Sequence, residues 1–327
     1  MIKFQLNRRN TLSLLATAAS WPMLAGAQTA AGTTAAATAG ATTQPATRPI
    51  PSSGEALPIV GLGSWITFNV GNDASARARC AAVMAAFFSG GGTLIDSSPM
   101  YGSSQDVIGQ GLRIGHSRGE SQGQKPSSVF SADKVWVAPG SRGPAQVEES
   151  RRLWGVPRFD LLQVHNLLAW QDHLPMLLRM KAAGQLRYVG ISTSEGRRHD
   201  EIEQIMRSHA IDFVQLTYSL RDRRAEQRLL PLAQERGIAV IVNRPFEQGS
   251  LLRSLAAHPL PGWAAGMQLR SWAQFALAFA LSHPAVTCAI PATTQVAHVR
   301  ENLAVAARPL PDAQQRQRMA AATQDWV

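Results

Sequence analysis

Cysteine is scarce in this chain of 327 residues, which contains only Cys80 and Cys288. The sequence therefore offers at most one disulfide, and no Cys/His spacing indicates a metal site. Cys80 falls in a helical pattern and Cys288 in an apolar strand pattern, so we predict two buried thiols. A disulfide between them stays open, because it depends on their separation in the fold.

Aromatic residues are missing from the basic clusters, although the net charge is +10. The clusters are short and lie at Arg151-Arg152, Arg197-Arg198 and Arg221 to Arg224. Nucleic-acid binding favours larger basic patches with interleaved aromatics, so we predict solvated faces or a phosphate-facing loop and no nucleic-acid partner. Hydrophobic residues make up 45% of the chain, which is enough for one large core.

A long apolar run is also absent. The run from Thr11 to Leu24 is too short and too mild to predict a stable membrane span, although an uncleaved anchor stays open. It follows the pair Arg8-Arg9 and precedes the small-residue sequence Ala25-Gly26-Ala27. These features are typical of a twin-arginine signal peptide over residues 1–27, and they predict an exported, periplasmic protein.

Large apolar side chains are almost missing from residues 28–52, which are rich in Ala, Thr, Gly and Pro. Such a segment cannot offset the entropy of ordering, so we predict a disordered linker. No comparable shift in composition follows, which predicts a single domain over residues 53–327.

Eight short, near-continuous apolar runs alternate with amphipathic stretches of helical length in that domain. Such runs are typical of parallel strands that are buried on both faces. The predicted strands span 59–65, 93–97, 129–137, 161–165, 188–192, 213–217, 239–243 and 286–291. Eight β-α units predict an α/β fold whose strands form a closed (β/α)8 TIM barrel.

Two other architectures lack their signatures. A dinucleotide-binding open sheet needs a phosphate loop, but Gly109 and Gly111 lie within a helical pattern rather than at a strand-to-helix turn. A barrel hydrolase needs a pair of carboxylates or metal ligands at the strand ends. The pattern places only Asp96 there.

Four polar residues fall at the ends of predicted strands, within them or in the loop that follows one of them. The strand from Thr93 ends on Asp96, and Tyr101 follows in the next loop. Lys134 lies inside an apolar strand, where its desolvation is costly unless it is paired, so we expect it beside Asp96. His165 ends the fourth strand. A parallel barrel gathers such strand ends at one face.

The spacing of these residues resembles the aldo-keto reductase family. Asp96 to Gly102 gives D-x-x-x-x-Y-G, Phe130 to Trp136 gives F-x-x-x-K-x-W, and Asp160 to His165 gives D-L-x-x-x-H. Further matches are Val189-Gly190-Ile191-Ser192, Asn243-Arg244-Pro245, Ile290-Pro291-Ala292-Thr293 and Glu301-Asn302. The resemblance covers about residues 55–310 and, with the signal, suggests an exported bacterial member.

The resemblance implies an oxidoreductase that interconverts a carbonyl and an alcohol, with Asp96, Tyr101, Lys134 and His165 as its catalytic tetrad. Reduction of a carbonyl needs a hydride donor, a proton donor and a group that holds the oxygen. We expect Lys134 to lower the pKa of Tyr101, the proton donor. Asp96 would hold Lys134, and His165 would orient the carbonyl.

The resemblance also implies a nicotinamide cofactor, NADP(H), with NAD(H) left open. The positions that match cofactor-binding residues of the family are Ser192, Thr193, Gln215, Asn243, Arg244, Thr293, His298 and Asn302. Ala292 and His298 stand where many members have Lys and Arg near the 2′-phosphate, and Arg244 and Arg300 could supply the charge instead. Asn243 stands where many members have a tyrosine that stacks on nicotinamide.

Aromatic residues are predicted to bind the substrate. Trp65 and Trp136 are expected at the mouth of the site, with Trp170 joining them from the next loop, and such walls suit an apolar or aromatic carbonyl. The substrate itself and the oligomeric state stay open. The alternative function is a nicotinamide-binding sensor or accessory protein with little turnover, because a fold does not fix a function.

The third strand has two possible registers. In the first, Lys134 points inward and Asp133 faces the helices, where it needs a partner of its own. In the second, Lys134 only begins the strand and Gly140 takes the catalytic position. Trp136 and the alternating pattern favour the first.

Overall fold

The computed structural model describes residues 45–121 and 129–326. The predicted signal peptide and residues 28–44 of the predicted linker lie outside this range. The linker prediction is wrong for residues 45–52, because strand β1 (Thr47–Pro49) pairs antiparallel with β2 (Ala56–Pro58) and Ile50 after it is fully buried. The composition of this segment did not reveal the hairpin, since its ordering depends on the barrel that it covers.

The eight remaining strands form one parallel sheet in chain order. They are β3 (Leu62–Gly63), β4 (Leu94–Asp96), β5 (Phe130–Val135), β6 (Phe159–Val164), β7 (Leu186–Ser192), β8 (Phe213–Thr217), β9 (Ala239–Asn243) and β10 (Val286–Ala289). The amide of Gly61 donates to the carbonyl of Ala289 (2.8 Å) and that of Gly63 to Pro291 (3.2 Å). These bonds join the first and last strands, so the sheet is a nearly closed barrel.

The helices cover the outside of the sheet. They are α1 (Ala74–Ser89), α2 (Ser104–Ser121), α3 (Gly143–Trp154), α4 (Trp170–Ala182), α5 (His199–Ser208), α6 (Leu229–Arg236), α7 (Ser250–Leu255), α8 (Trp272–Ser282), α9 (Val296–Ala306) and α10 (Ala313–Thr323). Side-chain caps define some of their starts: Asp73 accepts from the amide of Ala76 (2.9 Å), and Asp312 forms a capping box with Gln315. Within the described residues, no helix is long and apolar enough to cross a membrane.

The core has two parts. One lies between the sheet and the helices, and it includes Cys80, whereas Cys288 packs inside the barrel. Both thiols are buried and unpaired, as predicted. The barrel interior is filled at its N-terminal end by the first residues of the strands, together with Ile50 and Leu57 of the hairpin. The opposite, C-terminal end is therefore the open one, and it carries the polar residues.

The register of the sheet sets which polar residues meet at that end. Asp96 lies opposite Gly63 and Ala132, and Lys134 lies opposite Gln163. Farther round the sheet, Ser192 pairs with Gln215, and Thr217 pairs with Asn243. Side chains from at least six strands thus converge on one face of the barrel, as the parallel arrangement requires.

Candidate active site

A buried ion pair forms the floor of the site. The Nζ of Lys134 lies 2.6 Å from Oδ2 of Asp96, and these side chains are 0% and 2% exposed. Lys134 also donates to the carbonyl oxygen of Ser97 (2.8 Å). The other carboxylate oxygen of Asp96 accepts from the amides of Gln215 (2.8 Å) and Gln163 (3.3 Å). Both charged groups are therefore paired and fixed, which buried ions require.

Lys134 keeps its charge in this environment. Burial by itself lowers the pKa of Lys134, but the attraction of Asp96 and the proximity of Tyr101 outweigh it, and the pKa lies above its ordinary value. The site thus presents a permanent ammonium beside the ring of Tyr101, with Nζ 5.3 Å from the ring centroid.

Tyr101 is held by a short 3-10 helix, Pro99–Tyr101, that follows the end of β4. Ser98 caps this helix, because its Oγ accepts from the amide of Met100 (3.2 Å) and its carbonyl accepts from the amide of Tyr101 (2.9 Å). The Tyr101 ring meets the His165 ring edge-on, with centroids 5.5 Å apart. The phenol and the imidazole consequently face the same space.

The structure corrects the expectation for the pKa of Tyr101. Burial raises it to about 12, although the ammonium of Lys134 acts to lower it. Burial has the larger effect, and Asp96 adds to it. Tyr101 is therefore a neutral phenol at physiological pH, and Lys134 moderates the rise in its pKa rather than bringing the value below 10.

The imidazole of His165 is uncharged and lies in the same space. Burial, helped by the nearby charge of Lys134, lowers its pKa to about 2. Its Nδ1 lies 2.7 Å from the Oγ of Ser98, and both side chains are buried. His165 also lines the cavity, so the ring presents an uncharged face there.

The register of β5 is the one that the alternating pattern favoured. Lys134 faces Asp96, whereas Asp133 points to the helices and accepts from the Nε2 of Gln105 in α2 (2.7 Å). The alternative, with Gly140 at the catalytic position, is wrong, because Gly140 begins a 3-10 helix and lies against Asp172. Burial without a cationic partner raises the pKa of Asp133 to about 7.

A cavity of about 550 Å³ opens above these residues. Of the fourteen residues assigned to the catalytic tetrad, to the cofactor and to the tryptophan pair Trp65 and Trp136, twelve line it: Trp65, Asp96, Tyr101, His165, Ser192, Thr193, Gln215, Asn243, Arg244, Thr293, His298 and Asn302. The other two are Lys134, which is fully buried in the floor, and Trp136, whose ring centroid is 6.5 Å from that of His165.

On one wall of the cavity, amide and hydroxyl side chains form hydrogen bonds to one another and to the backbone. Asn243 donates to the carbonyl of Thr193 (2.8 Å) and accepts from Thr217 (2.7 Å), so its side-chain amide links β8 and β9 to the segment after β7. The Oγ1 of Thr193 donates to the carbonyl of Arg197 (2.6 Å). Ser192 accepts from the amide of Asn166 (3.2 Å). Asn243 is thus a bridging residue and offers no aromatic ring to a ligand.

Arg244 crosses the mouth of the cavity between two loops. Its Nη1 lies 2.7 Å from a carboxylate oxygen of Glu195, and its guanidinium lies over the ring of Trp65, 5.8 Å from the centroid. Glu195 also forms an ion pair with Arg197. One carboxylate therefore holds the two arginines that line this cavity.

The far end of the cavity has little positive charge. Thr293 and His298 are in contact, with Oγ1 and Nδ1 3.1 Å apart, and Asn302 is buried beside them. Arg300 is exposed and outside the cavity lining. The expectation that Arg300 supplies charge near a 2′-phosphate therefore stays a prediction, and His298 is the basic side chain that lines this end among the described residues.

The aromatic residues divide into two groups. Trp65 lines the cavity and is 6.4 Å from Tyr101, and Trp136 is 39% exposed near His165. Trp170 is not part of the wall, because its Nε1 donates to Glu201 (2.6 Å) and its ring packs on His209. The exposed side chains of Ile66 and Met100 lie on the cavity lining and add apolar surface there.

Three residues of the site were missed in the sequence. Ser98 contacts His165, Gln163 donates to Asp96, and Glu195 holds Arg244. Gln163 could have been found from its even spacing with His165 on one strand, since alternate residues share a face. Glu195 lies in a loop with φ of 60°, and no periodic pattern marks such a position.

Comparison with known proteins agrees with this geometry. The model of the aldo/keto reductase family matches residues 59–322. Methylglyoxal reductase YeaE of Escherichia coli is 31% identical over 260 residues, which cover 76% of this chain and 86% of that protein. The NADH-specific methylglyoxal reductase of the same organism is 25% identical over 241 residues, which cover 66% of this chain and 72% of that protein.

Solved structures show the same similarity. The aldo/keto reductase of Klebsiella pneumoniae, solved in complex with NADP and acetate, superposes with a TM-score of 0.66 at 25% identity. The match covers 84% of this chain and 93% of that one. Together with a family model that spans most of the chain, these findings show that the protein belongs to the aldo/keto reductase family.

Proposed function

We propose that this protein is an NAD(P)H-dependent carbonyl reductase that acts on aldehydes or ketones and, in reverse, oxidises the alcohol. The observation that carries the proposal is the meeting of a neutral phenol, a neutral imidazole and a buried ammonium–carboxylate pair at the base of one cavity. We further propose that the sheet behaves as a closed (β/α)8 barrel, which keeps these groups in fixed positions.

Each side chain has a role that follows from its chemistry. Tyr101 donates a proton to the carbonyl oxygen as negative charge develops there, and His165 donates a hydrogen bond to the same oxygen. Lys134 stabilises the phenolate that forms, and Asp96 keeps Lys134 in place. The nicotinamide, when bound, supplies the hydride.

The cavity residues suit a dinucleotide. Ser192 and Gln215 offer hydroxyl and amide groups for a carboxamide, and Arg244 with Arg197 offers guanidinium groups for a diphosphate. Among the described residues, the lining of the far end, with Thr293 and His298, includes no lysine or arginine, so both NADP(H) and NAD(H) are candidates. The names of the two methylglyoxal reductases make methylglyoxal the first carbonyl to test, and the apolar surface of Trp65, Ile66 and Met100 makes aromatic aldehydes the second.

The test is the absorbance of the reduced nicotinamide, followed with purified protein and a panel of carbonyls. NADPH and NADH are supplied in parallel, and dissociation constants come from fluorescence titration. Carbonyl-dependent oxidation of either cofactor supports the proposal. Cofactor binding without turnover of any carbonyl would instead support the alternative, a nicotinamide-binding sensor or accessory protein.

We also propose that the protein is exported to the periplasm by the twin-arginine route. The support is in the sequence, where Arg8-Arg9 precede an apolar run and Ala25-Gly26-Ala27 end it. Replacing both arginines with lysine keeps the charge but should leave the protein in the cytoplasm. Unchanged export of this double variant would exclude that route.

A further inference from the structure

We propose that Ser98 is a positioning residue that holds His165 in a single tautomer, with its proton on Nε2. The catalytic assignment of His165 itself rests on the proposed function. The assignment of its tautomer rests on the contacts of Ser98 and can be tested without any cofactor or substrate.

The contact between Ser98 and His165 is short and buried from solvent. The Oγ of Ser98 lies 2.7 Å from Nδ1 of His165, and these residues are 0% and 5% exposed. Water therefore does not compete for Nδ1 in the way that it does on a surface. In such surroundings a hydrogen bond that is left unmade is expensive, so the direction of this bond matters.

The other hydrogen bond of the Ser98 hydroxyl sets the direction of this one. The Oγ of Ser98 already accepts from the amide of Met100 (3.2 Å). In residues 45–121 and 129–326, the only acceptor with which this hydroxyl has hydrogen-bond geometry is Nδ1 of His165. If Nδ1 carried the proton, the Ser98 hydroxyl hydrogen would be buried without a partner. The hydroxyl therefore donates to Nδ1, and the ring proton lies on Nε2.

The ring of His165 is uncharged. Burial and Lys134 hold the pKa of His165 far below neutrality, so one ring nitrogen is bare at physiological pH. A neutral imidazole can donate to a carbonyl oxygen only from the nitrogen that carries the proton. By occupying the Nδ1 lone pair, Ser98 leaves the Nε2 proton as the donor toward the cavity that His165 lines.

Ser98 also links Tyr101 and His165, the two groups proposed to act on the carbonyl oxygen of the substrate. Its backbone carbonyl accepts from the amide of Tyr101, and its hydroxyl contacts His165. A variant could therefore lose activity because the 3-10 helix at Tyr101 shifts rather than because the His165 tautomer changes. The experiments have to separate these two causes.

The direct test is nitrogen NMR of protein labelled with ¹⁵N-histidine, without cofactor. His165→Asn identifies the ring signals of His165. The wild type should show a bare Nδ1 and a protonated Nε2. Ser98→Ala should shift the Nδ1 signal, because the lone pair loses its donor, and Ser98→Thr should restore it. A wild type protonated on Nδ1, or identical ring signals in Ser98→Ala, would overturn the proposal.

The second test is a double-mutant cycle on carbonyl reduction. Ser98→Ala should lower kcat about tenfold, the net value of one hydrogen bond, and leave the dissociation constant of the cofactor unchanged. In the His165→Asn background the same change should cost no more than about twofold, because Ser98 acts through His165. An equal loss in both backgrounds would assign the effect to Tyr101 and overturn the proposal. If no carbonyl is reduced, the proposed function fails while the NMR test still decides the tautomer.

Discussion

Lys134 and Asp96 form an ion pair of 2.6 Å in which neither side chain is appreciably exposed to solvent. The pair joins β4 to β5 at the base of the cavity and places an ammonium beside Tyr101. A pair of this kind is fixed in geometry, but each charge depends on the other. Replacing either residue alone therefore leaves the other charge buried without its partner.

Removing one member of this pair should destabilise the fold. Lys134→Met leaves the Asp96 carboxylate buried without its cation, and we expect a loss of about 3–5 kcal/mol in the free energy of unfolding, measured in urea. Arg152→Met is the matched control, because it breaks an exposed pair with Glu149 and should barely change the midpoint. Adding Asp96→Asn to Lys134→Met should recover part of the loss. A midpoint for Lys134→Met equal to that of the control would contradict this account.

Tyr101→Phe tests the proton donor. The change removes one hydroxyl and little volume, so folding and cofactor binding should survive, whereas kcat for the best carbonyl should fall by about two to four powers of ten. Tyr188→Phe is the control, since Tyr188 lies at the other end of the barrel and bonds to Ser53 and Glu55. Activity of Tyr101→Phe within a factor of about three of the wild type would remove Tyr101 from the mechanism.

Glu195→Gln tests the ion pair at the cavity mouth. Glu195 holds Arg244 and Arg197, so an anionic dinucleotide has to compete with its carboxylate for both guanidinium groups. We expect the variant to bind NADPH and NADH about two- to tenfold more tightly at low salt, and less so at high salt. Glu148→Gln, which frees Arg151 on α3 instead, should leave the affinity unchanged. Weaker binding by Glu195→Gln would show that the carboxylate supports the cofactor.

Asp133 should make the stability of the protein depend on pH. Its pKa is raised from 3.8 to about 7 in the fold, mainly by burial, so between these values the folded state binds more protons than the unfolded one. The free energy of unfolding should therefore fall as the pH rises from about 4 to about 7, by up to about 1.4 kcal/mol per pH unit from this carboxyl. Asp133→Asn should be more stable than the wild type at pH 8, and the difference should shrink at pH 5. Equal urea midpoints for Asp133→Asn and the wild type at both pH values would contradict the prediction.

The strands were predictable because a continuous apolar run within the sequence marks each of them. A parallel strand buried on both faces must be apolar throughout, and residues 213–217 and 239–243 match β8 and β9 residue for residue. The first barrel strand was predicted over residues 59–65 and is only Leu62–Gly63, because isolated bridges replace a full ladder where the sheet meets its last strand. The hairpin at Thr47–Pro49 was missed, since its order comes from the barrel end that it covers.

The sequence by itself determined the family and the order of the strands, and it predicted four catalytic residues on these strands or in the loop after one of them. Alternation along β5 was enough to point Lys134 inward, because side chains on a strand change faces at every residue. Only the tertiary structure decided how burial and contacts from distant residues act on the side chains of the site. Burial outweighs Lys134 in setting the pKa of Tyr101, and Ser98 and Glu195 act on residues 67 and 49 positions away. Desolvation and contacts between distant loops depend on the complete fold, so no local pattern records them.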